Sequence, residues 1–327
     1  MTPANSYKNQ ILTVKQSTFI SLAIEVFHWQ AEVNPVYSQY LRSIHADPLS
    51  ITQLENIPFL PISFFKTHAV LSGEPSIQTK FLSSGTTGSV RSVHHIADPE
   101  WYLKVAEHIF GYFYTSLSET IILALLPSYQ ENPYSSLIYM IRHFIQRSGS
   151  PLSGFVQSEE RLRKALEEAS QTSKKIFIFG VAYALLDLAE TGISLQGATL
   201  IETGGMKGRR KEITKEELHH TLREKLRLDE IHSEYGMTEL LSQAYAAHDG
   251  LFQTPPWARV MTREVNDPYC DNTGQRSGII KIIDLANIDS CCFIETEDIG
   301  LCTPSGFKVL GRLDHSEARG CNLLYEG

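Results

Sequence analysis

Cysteine is scarce in this chain of 327 residues: there are five, Cys270, Cys291, Cys292, Cys302 and Cys321. None forms a Cys-x-x-Cys pair or sits at metal-ligand spacing from a histidine, which argues against structural zinc. Adjacent Cys291 and Cys292 would face opposite sides of a strand, which suits reduced, half-buried thiols better than a disulfide. Long apolar runs are missing too. The most apolar stretch, Thr120 to Pro127, is far too short to span a bilayer, and Met1 to Gln10 is polar without the apolar core of a leader. Positive charge is also in deficit: Lys+Arg 29 against Asp+Glu 37 leaves a net charge of −8. That balance disfavours nonspecific nucleic-acid binding and a basic membrane-facing surface. There is no low-complexity segment, no internal repeat and no Gly-x-x-x-x-Gly-Lys-Ser/Thr loop. What remains is an ordinary globular composition, 42% hydrophobic and 20% charged, for which a cytoplasmic location is expected.

The length suits one large α/β domain or two fused lobes. Apolar residues at helical spacing, Phe19, Leu22, Ala23, Val26 and Phe27, predict an amphipathic helix to Gln30, with another near Val36 to Ile44. A proline-punctuated connection, Ile57 to Lys66, is expected to pack this helical N-terminal region (1–80) onto the main sheet. Strand and helix then alternate through the core (81–256). Helices are predicted at Glu100 to Tyr114, Tyr134 to Ile145, Glu159 to Ser170, Ala182 to Glu190 and Lys215 to Leu226. Strands are predicted at Thr120 to Leu126, Lys175 to Gly180, Leu195 to Glu202 and Glu230 to Tyr235. Such alternation implies a largely parallel, doubly wound sheet with ligands at the carboxyl ends of its strands. From Trp257 the pattern becomes short strands with Gly/Asp/Pro turns, including Gly278 to Leu285, Cys291 to Glu295 and Phe307 to Leu310. A small antiparallel subdomain (257–314) and a short tail (315–327) are expected.

Four clusters carry candidate chemistry. Ser83-Ser84-Gly85-Thr86-Thr87-Gly88 follows the apolar pair Phe81-Leu82 and reads as a phosphate loop, or else a flexible turn. Its glycines let backbone N–H groups converge on an anion, and its hydroxyls add donors without fixed charge. Gly204-Gly205 directly follows a predicted strand and lets a flat ring or a phosphate approach the backbone. In Ser233-Glu234-Tyr235-Gly236-Met237-Thr238-Glu239, the tyrosine suits stacking on a base, and Thr238 and Glu239 offer hard oxygens to Mg²⁺. In Glu295-Thr296-Glu297-Asp298-Ile299-Gly300, Asp298 at a predicted turn suits a bidentate acceptor for ribose hydroxyls, and Gly311-Arg312-Leu313-Asp314 follows, its Arg placed to reach a phosphate or ribose oxygen. Each also has a plain structural reading: a turn at Gly204-Gly205, a helix-start carboxylate at Glu239, a turn residue at Asp298.

From the phosphate loop to Arg312 the order of these clusters resembles the adenylate-forming superfamily of acyl-CoA synthetases and nonribosomal adenylation domains. The resemblance implies that Ser83 to Gly88 holds the ATP phosphates and that Gly204 and Gly205 line the adenine site. By the same resemblance Tyr235 stacks on adenine beside Gly236, Thr238 and Glu239 support Mg²⁺ and the phosphates, Asp298 binds ribose, and Gly311 to Asp314 is a hinge. The loop departs from the family pattern in continuing Ser89-Val90-Arg91 instead of Pro-Lys. The superfamily's mobile C-terminal lobe, with its catalytic lysine, has no counterpart expected beyond Asp314. The helical N-terminal region, the Pro127 to Ser136 run and Arg319-Gly320-Cys321 look like LuxE-type acyl-protein synthetases, where a cysteine near the C-terminus accepts the acyl group. Only Cys321 matches that role, and it also suits an ordinary thiol. The implied function is ATP- and Mg²⁺-dependent activation of a carboxylic acid, a fatty acid by the resemblance, with transfer to a protein thiol. An acyl-acceptor protein, a reductase partner or coenzyme A are the partners to expect. The rivals are a phenylacetate-CoA-ligase-like enzyme and a non-catalytic nucleotide- or acyl-binding module.

Overall fold

A computed structural model describes residues 3–84, 90–126, 132–204, 213–265 and 276–313. Three helices open the chain: α1 (Pro3–Thr13), α2 (Gln16–Val33) and α3 (Pro35–Ser43). Helix α2 buries Phe19, Leu22, Ala23, Val26, Phe27 and Gln30, the apolar stripe of the sequence extended by one amide. Asn34 ends α2 and caps α3, its side chain accepting from the Tyr37 amide with Pro35 next to it. The following chain reaches β1 (Leu60–Pro61).

Strands β2 (Thr79–Leu82) and β3 (Val93–Ile96) pair antiparallel as a separate two-stranded sheet, so the Ser/Thr/Gly loop is the connection between them. Helix α4 (Pro99–Phe113) then leads to β4 (Thr120–Leu125), α5 (Ser136–Ser148), β5 (Gly154–Phe155), α6 (Glu159–Ala169), β6 (Lys175–Val181), α7 (Ala182–Ala189), β7 (Ala198–Thr203), α8 (Lys215–Leu226), β8 (His232–Tyr235) and β9 (Ala244–Ala246). These strands form a sheet in the order β5-β4-β6-β7-β8-β9, parallel except for β9. Successive residues feed opposite faces. Ile122, Ala124, Phe177 and Phe179 join a core with α4 and α5, while Ile121, Leu123, Ile178 and Leu200 pack with Leu162 of α6, Leu185 of α7 and Leu218 of α8. Apolar residues of both parities make these strands read as continuous hydrophobic runs, as helices on both faces require.

The last strands, β10 (Ala258–Arg263), β11 (Ser277–Asp284), β12 (Phe293–Thr303) and β13 (Gly306–Arg312), pair antiparallel. Here the structure corrects three expectations. The N-terminal region docks on this sheet and not on the parallel one: β1 pairs with β12, Leu60 beside Ile294. Gln30 Nε2 donates to Ile288 O at 2.9 Å, and Asn34 Nδ2 donates to Ser290 O at 2.8 Å. Cys291 and Cys292 precede β12 and are fully buried, their thiols facing carbonyls of Phe293 and Leu285. Asp298 lies inside the eleven-residue strand β12 and not at a turn.

Candidate functional site

At the carboxyl ends of β7 and β8 a cavity of about 670 Å³ opens between the parallel sheet, the β2–β3 hairpin and the antiparallel sheet. It is lined by Ser83, Ser84, Gly204, Tyr235, Gly236, Thr238, Glu239, Asp298 and Arg312, all singled out in the sequence. Gly85, Thr86, Thr87, Gly88, Gly205, Asp314 and Cys321 fall outside the described residues. The hairpin closes the base of the loop: Ser83 N donates to Ser92 O at 3.1 Å, and Ser92 N to Ser83 Oγ at 2.9 Å. Gly204 leaves β7 with φ of 69°, a conformation that favours glycine. Helix α5 begins at the cavity: Ser135 caps it by accepting from the Ile138 amide, and Ser135, Ser136 and Leu137 line the wall. The positive end of that helix dipole favours an anion there.

Tyr235 Oη donates to Asp298 Oδ2 at 2.8 Å, tying β8 to β12. Burial pushes the Asp298 carboxyl above its ordinary range, against the Tyr235 hydrogen bond and the charge of Arg312. The Tyr235 ring already packs against Phe252 and Phe307, centroids 5.6 and 5.5 Å away. Arg312 Nη2 meets Glu297 Oε2 at 2.7 Å, and Lys66 Nζ meets Glu297 Oε1 at 3.5 Å. Although burial pushes Glu297 up, these two cations hold it below the usual carboxylate range. Lys66 also lines the cavity.

Glu239, 5% exposed, is held by its backbone. Asn287 Nδ2 donates to Glu239 O at 2.8 Å, and His94 Nδ1 lies 2.8 Å from Thr238 O, so that nitrogen carries the proton. Burial pushes His94 down to about 4, which keeps the ring neutral. Fully buried Asp284 then accepts from the amides of Leu241 and Ser242 at 2.9 and 2.8 Å and from Ser242 Oγ at 2.6 Å. The Glu239 carboxyl itself is pushed up by burial, partly offset by the Ser92 hydroxyl. No group of three or more metal-ligating side chains occurs among the described residues.

Sequence reasoning missed Lys66, Ser92 and Gln243 as members of this site, and gave no role to Glu234 and Glu297. Glu297 and Glu234 belong to two of the clusters read from the sequence, beside Asp298 and Tyr235, where membership of the cluster was the available signal. Lys66 and Ser92 arrive from distant chain segments, and nothing local marks them.

No protein-family model matches the sequence, and no curated protein is similar to it. Solved structures are. A 2-hydroxyisobutyryl-CoA ligase, in an open conformation with 2-HIB-AMP and CoA, matches with a TM-score of 0.64 at 12% identity, over 94% of this chain and 78% of that one. The chain shares its fold. In its postadenylation state with 2-HIB-AMP that ligase matches with a TM-score of 0.65 at 13% identity, over 91% and 68% of the two chains. ATP-bound MatB from Rhodopseudomonas palustris matches with 0.53 at 15% identity, over 73% of this chain and 49% of MatB. The chain thus spans about half the length of the MatB structure. No described helix is long and apolar enough to cross a membrane.

Proposed function

We propose that this protein activates a carboxylic acid with ATP, forming an acyl-adenylate and pyrophosphate, and passes the acyl group to a thiol. The observation that carries the reading is convergence: the nine described residues named above come from separate stretches of the chain yet line one cavity. Plain turns would have no reason to face one another.

An acid of ordinary pKa, about 4 to 5, is already ionised at neutral pH, so its attack on the α-phosphorus needs no general base. The carboxylate oxygen bonds to phosphorus as the bond to the pyrophosphate oxygen breaks. The protein's task is to hold two anions together and compensate charge as it moves to the leaving group. Arg312 and Lys66, the cations lining the described cavity, suit that task, with the start of α5 and the hydroxyls of Ser83 and Ser84. Glu239 and Thr238 are the residues to hold Mg²⁺, which supplies charge neutralisation at the phosphates. Asp298 is the acceptor for the ribose, and Gly204 and Tyr235 border the base. The loop residues Gly85 to Gly88, with Gly205, complete the proposed nucleotide site.

For the acceptor we propose Cys321 of the chain's own tail, as in LuxE-type acyl-protein synthetases, with a fatty acid as the acyl donor. A second acceptor, coenzyme A, is favoured by one finding, the fold match to a CoA ligase holding 2-HIB-AMP and CoA. ATP–pyrophosphate exchange across a panel of acids tests the activation step. Exchange that depends on both acid and Mg²⁺ supports it; nucleotide binding with no exchange for any acid would leave a binding module instead.

A further inference from the structure

One end of the cavity is polar where a hydrocarbon chain needs none. Thr203, Glu234 and Tyr245 are register partners on three adjacent strands, β7, β8 and β9, so their side chains leave the sheet on one face. It is the α4–α5 face: Val181, the next partner in the row, belongs to the core shared with those helices. Glu234 is the cross-strand partner of Tyr245 and lines the cavity with Tyr102, and its charge, added to burial, pushes both phenols up. Its carboxyl has no hydrogen bond or ion pair among the described residues, and it lines the cavity.

Gln243 lines the same end while only 5% exposed. Its Nε2 donates to Leu241 O at 3.0 Å. Only the amide nitrogen can face a carbonyl, so the oxygen is turned away, and Gln243 Oε1 has no partner. Gly236 brings the two together. A Cβ at Gly236 would collide with Glu234 Oε1 and lie 3.6 Å from Gln243 Cγ. Thr203 Oγ1 and Tyr245 Oη are likewise buried without partners. Buried polar atoms normally have a partner, so an unpartnered Gln243 oxygen at the cavity wall, beside a carboxyl with no hydrogen bond or ion pair among the described residues, calls for a ligand group that satisfies it.

Resting on the acid-activation reading above, we infer that the acyl group of the substrate carries a hydroxyl, bound between Gln243 and Glu234. A hydroxyl donates one hydrogen bond and accepts others, which matches an amide oxygen seeking a donor and a carboxyl able to give or take. Burial and the neighbouring charge of Glu202 push Glu234 up to about 8, so at neutral pH it has a proton to donate. A plain alkyl chain would leave Gln243 Oε1 and the Glu234 carboxyl facing it without a partner, the arrangement by which binding sites reject analogues lacking a polar group.

The test is calorimetric binding of matched acids to the full chain without nucleotide. The pairs are hexanoate with its 3-, 4-, 5- and 6-hydroxy derivatives, and phenylacetate with 4-hydroxyphenylacetate; 6-aminohexanoate is the cationic control. At least one hydroxy acid should bind about ten-fold or more tighter than its parent. Gln243→Leu and Glu234→Leu should each cut that advantage below about two-fold without weakening the parent acid, and Glu234→Gln should restore most of it. Thermal melts confirm that each variant is folded; if a leucine variant is not, Gln243→Met is read in its place. The inference is overturned if no hydroxy acid beats its parent, if neither member of any pair binds, if the amino acid binds more tightly than its hydroxy counterpart, or if the advantage survives the substitutions. Pyrophosphate exchange is measured separately. Selective binding of a hydroxy acid with no exchange would sink the activation reading and leave the polar subsite standing.

Discussion

The hydroxyl of Tyr235 donates to Asp298 across 2.8 Å, joining the end of the parallel sheet to the middle of β12. Asp298 therefore has one oxygen engaged by the protein and the other available to a ligand hydroxyl. If Asp298 binds the ribose as proposed, Asp298→Ala is expected to raise the KM for ATP by about ten- to a hundred-fold, the worth of hydrogen bonds to a charged group. The KM for the acid should stay nearly constant. Exchange kinetics with each substrate varied in turn check this, and an unchanged KM for ATP would reduce Asp298 to a structural tie.

Glu239→Gln keeps the shape of the side chain and removes the charge. We expect activity at limiting Mg²⁺ to fall at least about ten-fold, recovering in part as the metal is raised. A Mg²⁺ titration of exchange decides it; identical curves for the two proteins would remove the metal role.

Asp284 lies outside the cavity lining yet fixes the chain just after Glu239. Asp284→Ala strands the buried amides of Leu241, Ser242 and Ala286 and the Ser242 hydroxyl, at an expected cost of about 3 kcal/mol or more in urea unfolding. Because the loop loosens as well, the apparent Mg²⁺ affinity in exchange should fall in the same variant. A loss of stability with the Mg²⁺ dependence intact would confine Asp284 to a structural part.

Two buried groups act on stability in opposite senses. The folded chain keeps a proton on Glu234 up to about pH 8 that the unfolded chain has released, so this group's contribution falls as pH rises. His94, pushed down to about 4, stays unprotonated in the fold while the unfolded chain takes up a proton, so its contribution falls as pH drops below about 6.5. The two offset each other on the acid side, and above about pH 6.5 the His94 effect is gone while that of Glu234 continues. Urea melts should lose about 1–2 kcal/mol between pH 6.5 and 8, and Glu234→Gln should flatten that slope. A slope that persists in the variant assigns it elsewhere.

For the acceptor, incubation with ATP, Mg²⁺ and an accepted radiolabelled acid should leave hydroxylamine-sensitive label on the protein. Cys321→Ser should abolish the label and preserve exchange. Label retained in the variant, or free acyl-adenylate accumulating with none on the protein, points to coenzyme A or another thiol.

Much of the fold was legible because local signals agreed with it. Helix α8 spans Lys215–Leu226 as read, with Thr214 and Glu217 forming a reciprocal cap at its start. The strand ends that carry Gly204 and Tyr235 were legible as well, since apolar runs stop there. The stretch around Asp298 was not. Its acidic residues read as a turn, whereas pairing with β11 and β13 makes it a strand; Gly300 lets Ile280 and the Lys308 carbonyl come close enough that a side chain would clash. Cys291 and Cys292 were misread because strand parity was applied before the strand begins at Phe293. The unpaired oxygen of Gln243 belongs to tertiary packing alone, and no sequence pattern announces it.

The docking of α2 on residues near β12 also sets a timetable for the nascent chain. Gln30 waits for the Cys292 amide, 262 residues further on. At about 5–20 residues per second, that is roughly 13 to 50 seconds of synthesis. Throughout that interval the apolar stripe of α2, with Phe19 and Phe27, has no sheet to cover it. The N-terminus is thus made first and finished last, and a chain stalled before residue 288 would present a sticky amphipathic helix to whatever binds nascent proteins.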